Sequence, residues 1–171
     1  MKYLLLFTIC FFSNATELIF KRHGTFHQLT FQKYLKKGGD KNNVVTINQK
    51  DDLLQLIKKE GIPFTANIKG LESRHNFVFD QNKRLRVSRN DKTNDARVSQ
   101  SILTMGEGLY AAGEIYPFKK GDDFAVFITN RSRKFCTPFE NLELVKTFFQ
   151  KLGIKKIQII DYQPKFCRKA N

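Results

Sequence analysis

The segment DFAVFITNRSRKFCTPFENLELVKTFFQKLGIKKIQIID, Asp123 to Asp161, decides the fold class. Phe124, Val126 and Ile128 alternate with small or aromatic residues, the period-two pattern of a strand. Thr137-Pro138-Phe139-Glu140 then reads as a capping box. The Thr137 hydroxyl and the Glu140 carboxylate each accept from the other's backbone N–H, with proline preset at the first helical position. Leu142, Val145, Phe148, Phe149 and Leu152 recur at helical spacing, and Gly153 offers the left-handed residue that ends a helix. IKKIQIID reads as a closing strand, with Ile157 and Ile159 on one face.

Upstream, HNFVFD and LRVSR flank the short turn QNK and predict a hairpin. VSQSILT and LYAAGEIYPF read as further strands, the second pairing with DFAVFITN across Lys119-Lys120-Gly121-Asp122. YLKKGGDKNNVV reads as a loop, with Gly38-Gly39 and Asn42-Asn43 as turn residues. It separates an N-terminal β-like stretch from a helix over 49–60. Asn48 caps that helix, Leu53, Leu54 and Ile57 give it an apolar face, and Gly61 and Pro63 stop it. Together these predict an α+β domain: a mostly antiparallel sheet, two amphipathic helices and a C-terminal strand.

The first fifteen residues, MKYLLLFTICFFSNA, read as a signal peptide. Lys2 precedes an apolar run from Tyr3 to Phe12, too short to span a bilayer, and Ser13-Asn14-Ala15 forms the small-residue cleavage site. The expected mature chain, residues 16–171, is one exported domain with no transmembrane segment, secreted or periplasmic. Its size allows a real core, filled by Phe, Ile and Leu because tryptophan is absent. The chain carries 30 basic and 16 acidic residues, a formal charge of +14. That excess favours anionic surfaces or macromolecules, or else simply keeps the protein solvated. Arg131, Arg133 and Lys134 concentrate it in the turn before the capped helix.

Cys136 and Cys167 remain after cleavage. In an oxidising compartment the pair is expected to be bridged, tying the basic turn to the C-terminal tail. Closing that loop contributes about 3–4 kcal/mol in the chain-entropy model. The sharper alternative, a cysteine nucleophile, has no histidine near it in sequence. Two cysteines without paired spacing are a poor metal set.

His23 and His27, in HGTFH, have the i, i+4 spacing of a helical metal site, but the base glutamate is missing and the local residues favour strand. Arg97, Ser101 and Glu114, with Ser99 and Gln100, offer the side chains of a cleft that clamps an anion and polarises a sugar or phosphate. The same types equally serve as structural hydrogen-bonding groups. GEGLYAAG lacks the spacing and lysine of a phosphate-binding loop. No motif requires a cofactor or a metal. Basic and aromatic residues interleave in KRLRVSR and SRKFCTPF, a single-stranded nucleic-acid pattern that also describes solvated strand edges.

FVFDQNKRLRVSRNDKTNDARVSQSILTMGEGLYAAGEI (Phe77–Ile115) and ITNRSRKFCTPFENL (Ile128–Leu142), within residues 76–154, resemble a module of bacterial effectors and polymorphic toxins. The module is also similar to the C-terminal region of plant IQ-motif (calmodulin-binding) proteins. Its pattern runs YVMDxxGxLYxS, HSSFxxGxxVxAAGE and SGHYxPTxEN, then a helix. Ser101, Glu114, Ser132 and Pro138 match it, and YAAGEI is the most specific piece. Gln100 and Lys134 stand where the pattern has histidines, so the resemblance implies a degenerate copy in a secreted or effector context.

Three functional classes therefore stand: an exported basic protein engaging an anionic partner; an effector enzyme acting on a nucleotide or glycan through Arg97, Ser101 and Glu114; and a structural protein contacting a host or envelope protein.

Overall fold

Strands β1 (Val44–Ile47), β2 (His75–Asp80), β3 (Leu85–Ser88), β4 (Leu109–Lys120), β5 (Asp123–Thr129) and β6 (Lys156–Ile160) form one sheet in the order β1-β3-β2-β4-β5-β6. The structure, a computed structural model, describes residues 32–37, 39–57, 74–89, 98–132, 134–162 and 167. All neighbours are antiparallel except β5 and β6, which run parallel because the long helix Phe139–Lys151 carries the chain back between them. The fold is α+β, with the expected hairpins β2–β3 and β4–β5 and the expected closing strand.

Both faces of the sheet are covered. On one, Phe77, Phe79, Ile115, Val126 and Ile128 pack under Leu142, Val145 and Phe149 of the long helix and under Leu53 and Leu56. On the other, Val78 and Ala112 pack with Ile102, Leu103 and Phe135, and a separate cluster joins Tyr116, Phe118, Ala125 and Phe127. Within β4 the register against β2 shifts: Phe79 faces Ala111 and Asp80 faces Leu109, so Tyr110 is the extra residue of a bulge. The bulge is why Tyr110 and Ala111 both border the first core while Leu109 and Ala112 enter the second.

Gly113 permits a close approach between β4 and its neighbours. A Cβ there would stand 1.9 Å from the Thr129 carbonyl oxygen and 2.9 Å from the Phe77 ring. The long helix ends as expected at Gly153 (φ 82°): Ile154 N donates to Phe149 O and Gly153 N to Gln150 O, the Schellman pattern.

Asp80, fully buried, organises the β2–β3 turn. It accepts from the backbone N–H groups of Asn82 and Arg84, from Arg84 Nε at 2.9 Å and from Arg86 Nη2 at 2.8 Å. Arg86 also donates to the Leu103 and Thr104 carbonyls, fastening the hairpin to the short helix Gln100–Leu103. Burial lowers the Arg86 pKa and the Asp80 charge opposes that shift, as expected for a buried cation kept by a paired carboxylate.

Several local expectations are corrected. VSQSILT holds the short helix Gln100–Leu103 rather than a strand. Its run Val98, Ile102 and Leu103 keeps helical spacing and enters the second core. The helix expected over 49–60 is a 3-10 segment, Lys50–Gln55, within the described part of that range. Gln49 rather than Asn48 precedes it, with Asp52 Oδ2 accepting from both their N–H groups. Three-residue periodicity sends Leu53 and Leu56 inward and leaves Leu54 exposed. The expected loop contains the start of edge strand β1, which pairs with β3. Residues 32–36 are helical, although 32–33 belong to the stretch expected to be β-like and 34–36 open the expected loop; the rest of the N-terminal segment, with the signal peptide, lies outside the described residues.

Cys136 and Cys167 lie at disulfide distance, with sulfur atoms 2.16 Å apart and Cα atoms 5.4 Å apart. Among the described residues, no helix is long and apolar enough to cross a membrane.

Candidate functional site

β5 stops at Thr129, opposite Glu114, while β4 begins at Leu109. The start of β4 therefore has no β5 partner, and the chain after β5 supplies side chains instead. Thr137 Oγ1 donates to Ala112 O at 2.7 Å and accepts from Ala112 N at 2.9 Å. Asn141 Nδ2 donates to Tyr110 O at 2.6 Å. This overturns the capping box: Thr137 serves the sheet, Pro138 occupies the N-cap, and no side chain caps the helix there. The residue pattern of a capping box was present, but the buried β4 backbone competes for the same hydroxyl.

The turn between β5 and the long helix is held at several points. Ser132 Oγ accepts from the N–H groups of Lys134 (3.2 Å) and Phe135 (2.9 Å) and donates to Gln100 Oε1 at 2.7 Å. Gln100 Nε2 donates to Gly113 O and Arg131 O. Asn130 Nδ2 donates to Thr137 O and Asp161 Oδ1, and Asn130 Oδ1 accepts from Tyr162 N. Phe135 plugs into the second core, and the disulfide follows at Cys136.

Beside this frame lies Glu114, on the second face of the sheet between two apolar clusters. Tyr116 donates its phenol to Glu114 Oε2 at 2.8 Å. Arg74 Nε lies 3.8 Å from Oε1, and Arg131 Nη1 lies 3.9 Å from Oε2. The Arg131 guanidinium also stacks on the Tyr162 ring, 5.0 Å from its centroid. Burial, then the Glu114 charge, raises the Tyr116 pKa well above the ordinary tyrosine range. Two guanidiniums thus face one carboxylate, and Lys134 is exposed in the adjoining turn.

The structure thus joins Glu114, Arg131 and Ser132 around Gln100. It does not extend the network to Ser101, whose buried hydroxyl has no hydrogen-bond partner among the described residues. Pro138 is exposed at the helix entrance. Arg97, Arg133, His23 and His27 lie outside the described residues. Sequence reasoning missed Arg74, Asn130 and Tyr162. Asn130 ends a strand and Tyr162 follows one, but only the parallel pairing of β5 with β6 brings those ends together.

No protein-family model, curated protein or solved structure matches this chain.

Proposed function

We propose that this is an exported, effector-like basic protein that engages an anionic partner through the turn Arg131–Lys134. The observation that carries the reading is the fixed backbone of that turn. Ser132 holds the N–H groups of Lys134 and Phe135, so cations are presented on a frame that loses little freedom on binding. The overall charge of +14 steers anionic surfaces toward the molecule. The module resemblance supports the secreted or effector context, and the cysteine pairing fits an oxidising compartment.

Heparin affinity chromatography tests it. Lys134→Gln should elute at distinctly lower salt than Lys155→Gln, which removes the same charge from another exposed site. Equal shifts would reduce the effect to net charge and sink the assignment. A second reading, an enzyme acting on a nucleotide or glycan, draws on the carboxylate of Glu114 set among two guanidiniums and a phenol. A folded Glu114→Gln protein with full biological effect would remove it.

A further inference from the structure

A cleft of about 430 Å³ opens along edge strand β1, separate from the basic turn. Lys41, Asn42, Thr46, Gln55 and Arg89 line it together with apolar β1 side chains. The lining thus holds two cations, two side-chain amides and a hydroxyl, but no carboxylate. Two nearby acids already hold backbone N–H groups. Asp40 Oδ1 accepts from Asn42 N at 2.8 Å, and Asp52 Oδ2 accepts from the N–H groups of Asn48 and Gln49. Positive charge in the cleft therefore has no counter-ion among its lining residues.

Arg89 is the informative side chain. It leaves the end of β3 with its backbone N–H on Asn43 O at 2.7 Å, which fixes its origin at the mouth of the cleft. Its Nη2 donates to Gln55 Oε1 at 2.5 Å. Its Nε is buried and has no hydrogen-bond partner among the described residues. A guanidinium satisfied on one nitrogen and orphaned on the next leaves half of its two-pronged donor edge unused. That edge matches two oxygens of a carboxylate or phosphate. A buried N–H without an acceptor carries a cost that an oxygen reaching it would remove, while the rest of the guanidinium stays solvated.

We propose that this cleft binds a small oxyanion, a phosphate or carboxylate group, on the Nε edge of Arg89, with Lys41 as the second cation and the Asn42 and Gln55 amides as neutral partners. This site does not depend on the basic turn, and either can fail without the other.

Titration of the full chain with inorganic phosphate, and separately with acetate, tests the proposal by NMR at constant ionic strength, with sodium chloride as the compensating salt. The Arg89 Nε–H signal should shift and saturate, and the better of the two anions identifies the group bound. Arg89→Gln should weaken binding by about tenfold or more, because one amide cannot replace a charged two-pronged donor. Arg89→Lys should recover only part of the loss, since a point charge lacks the fork. If the Arg89 variants do not fold, Lys41→Gln carries the test, because Lys41 is exposed and adds charge to the rim. It should weaken binding by about two- to fivefold. Shifts that never saturate with either anion, or that chloride reproduces, overturn the site. Unchanged affinity in Lys41→Gln together with wild-type affinity in a folded Arg89→Gln overturns it equally.

Discussion

Replacing Thr137 by valine keeps the shape of the side chain and removes one hydroxyl. That hydroxyl serves both polar groups of Ala112, and both residues are fully buried. The variant strands a donor and an acceptor beyond the reach of water, at about 1–3 kcal/mol for each unsatisfied group. Thr137→Val should therefore lose about 2–5 kcal/mol, a large share of the roughly 5–15 kcal/mol that holds a domain together. A hydroxyl that only capped the helix would be worth about 1 kcal/mol, and its partner in a capping box, Glu140, would be worth a similar amount on truncation. The two roles are thus separable by magnitude and by partner.

Urea unfolding followed by far-ultraviolet circular dichroism, with the disulfide intact, measures both variants. Thr137→Val should shift the midpoint strongly at an unchanged denaturant slope, and Glu140→Ala should shift it little. Thr137→Ser, which keeps the hydroxyl, should stay within about 1 kcal/mol of the parent, the loss expected for a single methyl group. A cost below about 1 kcal/mol for Thr137→Val, or an equal cost for Glu140→Ala, would refute the assignment of this hydroxyl to the sheet.

Gly113→Ala should destabilise the fold by at least about 2 kcal/mol, because the added methyl meets the Thr129 carbonyl rather than a movable side-chain end; unfolding curves read this directly, and a neutral result would mean β4 and β5 can separate freely. Tyr116 should resist ionisation in an alkaline ultraviolet titration. Since its folded pKa lies above the ordinary value of 10.0, its contribution to stability is complete below pH 10.0 and is lost as pH rises beyond it. Tyr116→Phe should flatten that alkaline decline, and an unaltered decline would count against the shift. Asp123 has the opposite sign: the hydrogen bond from Lys156, then the Lys156 charge, lowers its pKa. Its contribution is present above the ordinary value of 3.8 and fades as pH falls through the lowered one, so Asp123→Asn should shallow the acid limb of a stability profile.

Hairpins, long helix, closing strand and disulfide were legible in the sequence because each rests on local periodicity, turn residues or compartment. The turn at Gln81–Lys83 and the Gly153 helix end are set by the residues that form them. What escaped was decided at long range. Thr137 carries the pattern of a cap, but the vacancy it fills is created by β5 ending at Thr129, and the hydroxyl reaches Ala112, 25 residues before it in sequence. VSQSILT has strand-like composition, yet Arg86 needs the Leu103 and Thr104 carbonyls where a helical turn places them. Val44–Ile47 was obscured because four residues beside a glycine-rich stretch gain strand character only from β3. In the candidate site, Glu114, Arg131 and Ser132 were legible by residue type. Their partners Arg74, Asn130 and Tyr162 were not, because topology alone assembles them.

The same long-range logic links structure to function. The basic turn cannot shift without uncovering β4, since Thr137 and Asn141 complete the backbone of Ala112 and Tyr110. Nor can it peel outward, because Phe135 is buried and Cys136 is tied to Cys167. A solvated, dispensable turn would need none of these restraints. Under the proposed function, a restrained backbone beneath cationic residues becomes useful when an anionic partner binds, because the backbone ordering cost has already been met during folding. Thr137→Val thus doubles as a functional probe: at a temperature where it remains folded, loosening the turn should weaken heparin retention although no charge has changed. If retention follows charge alone, the rigidity of the turn serves the sheet and not a partner.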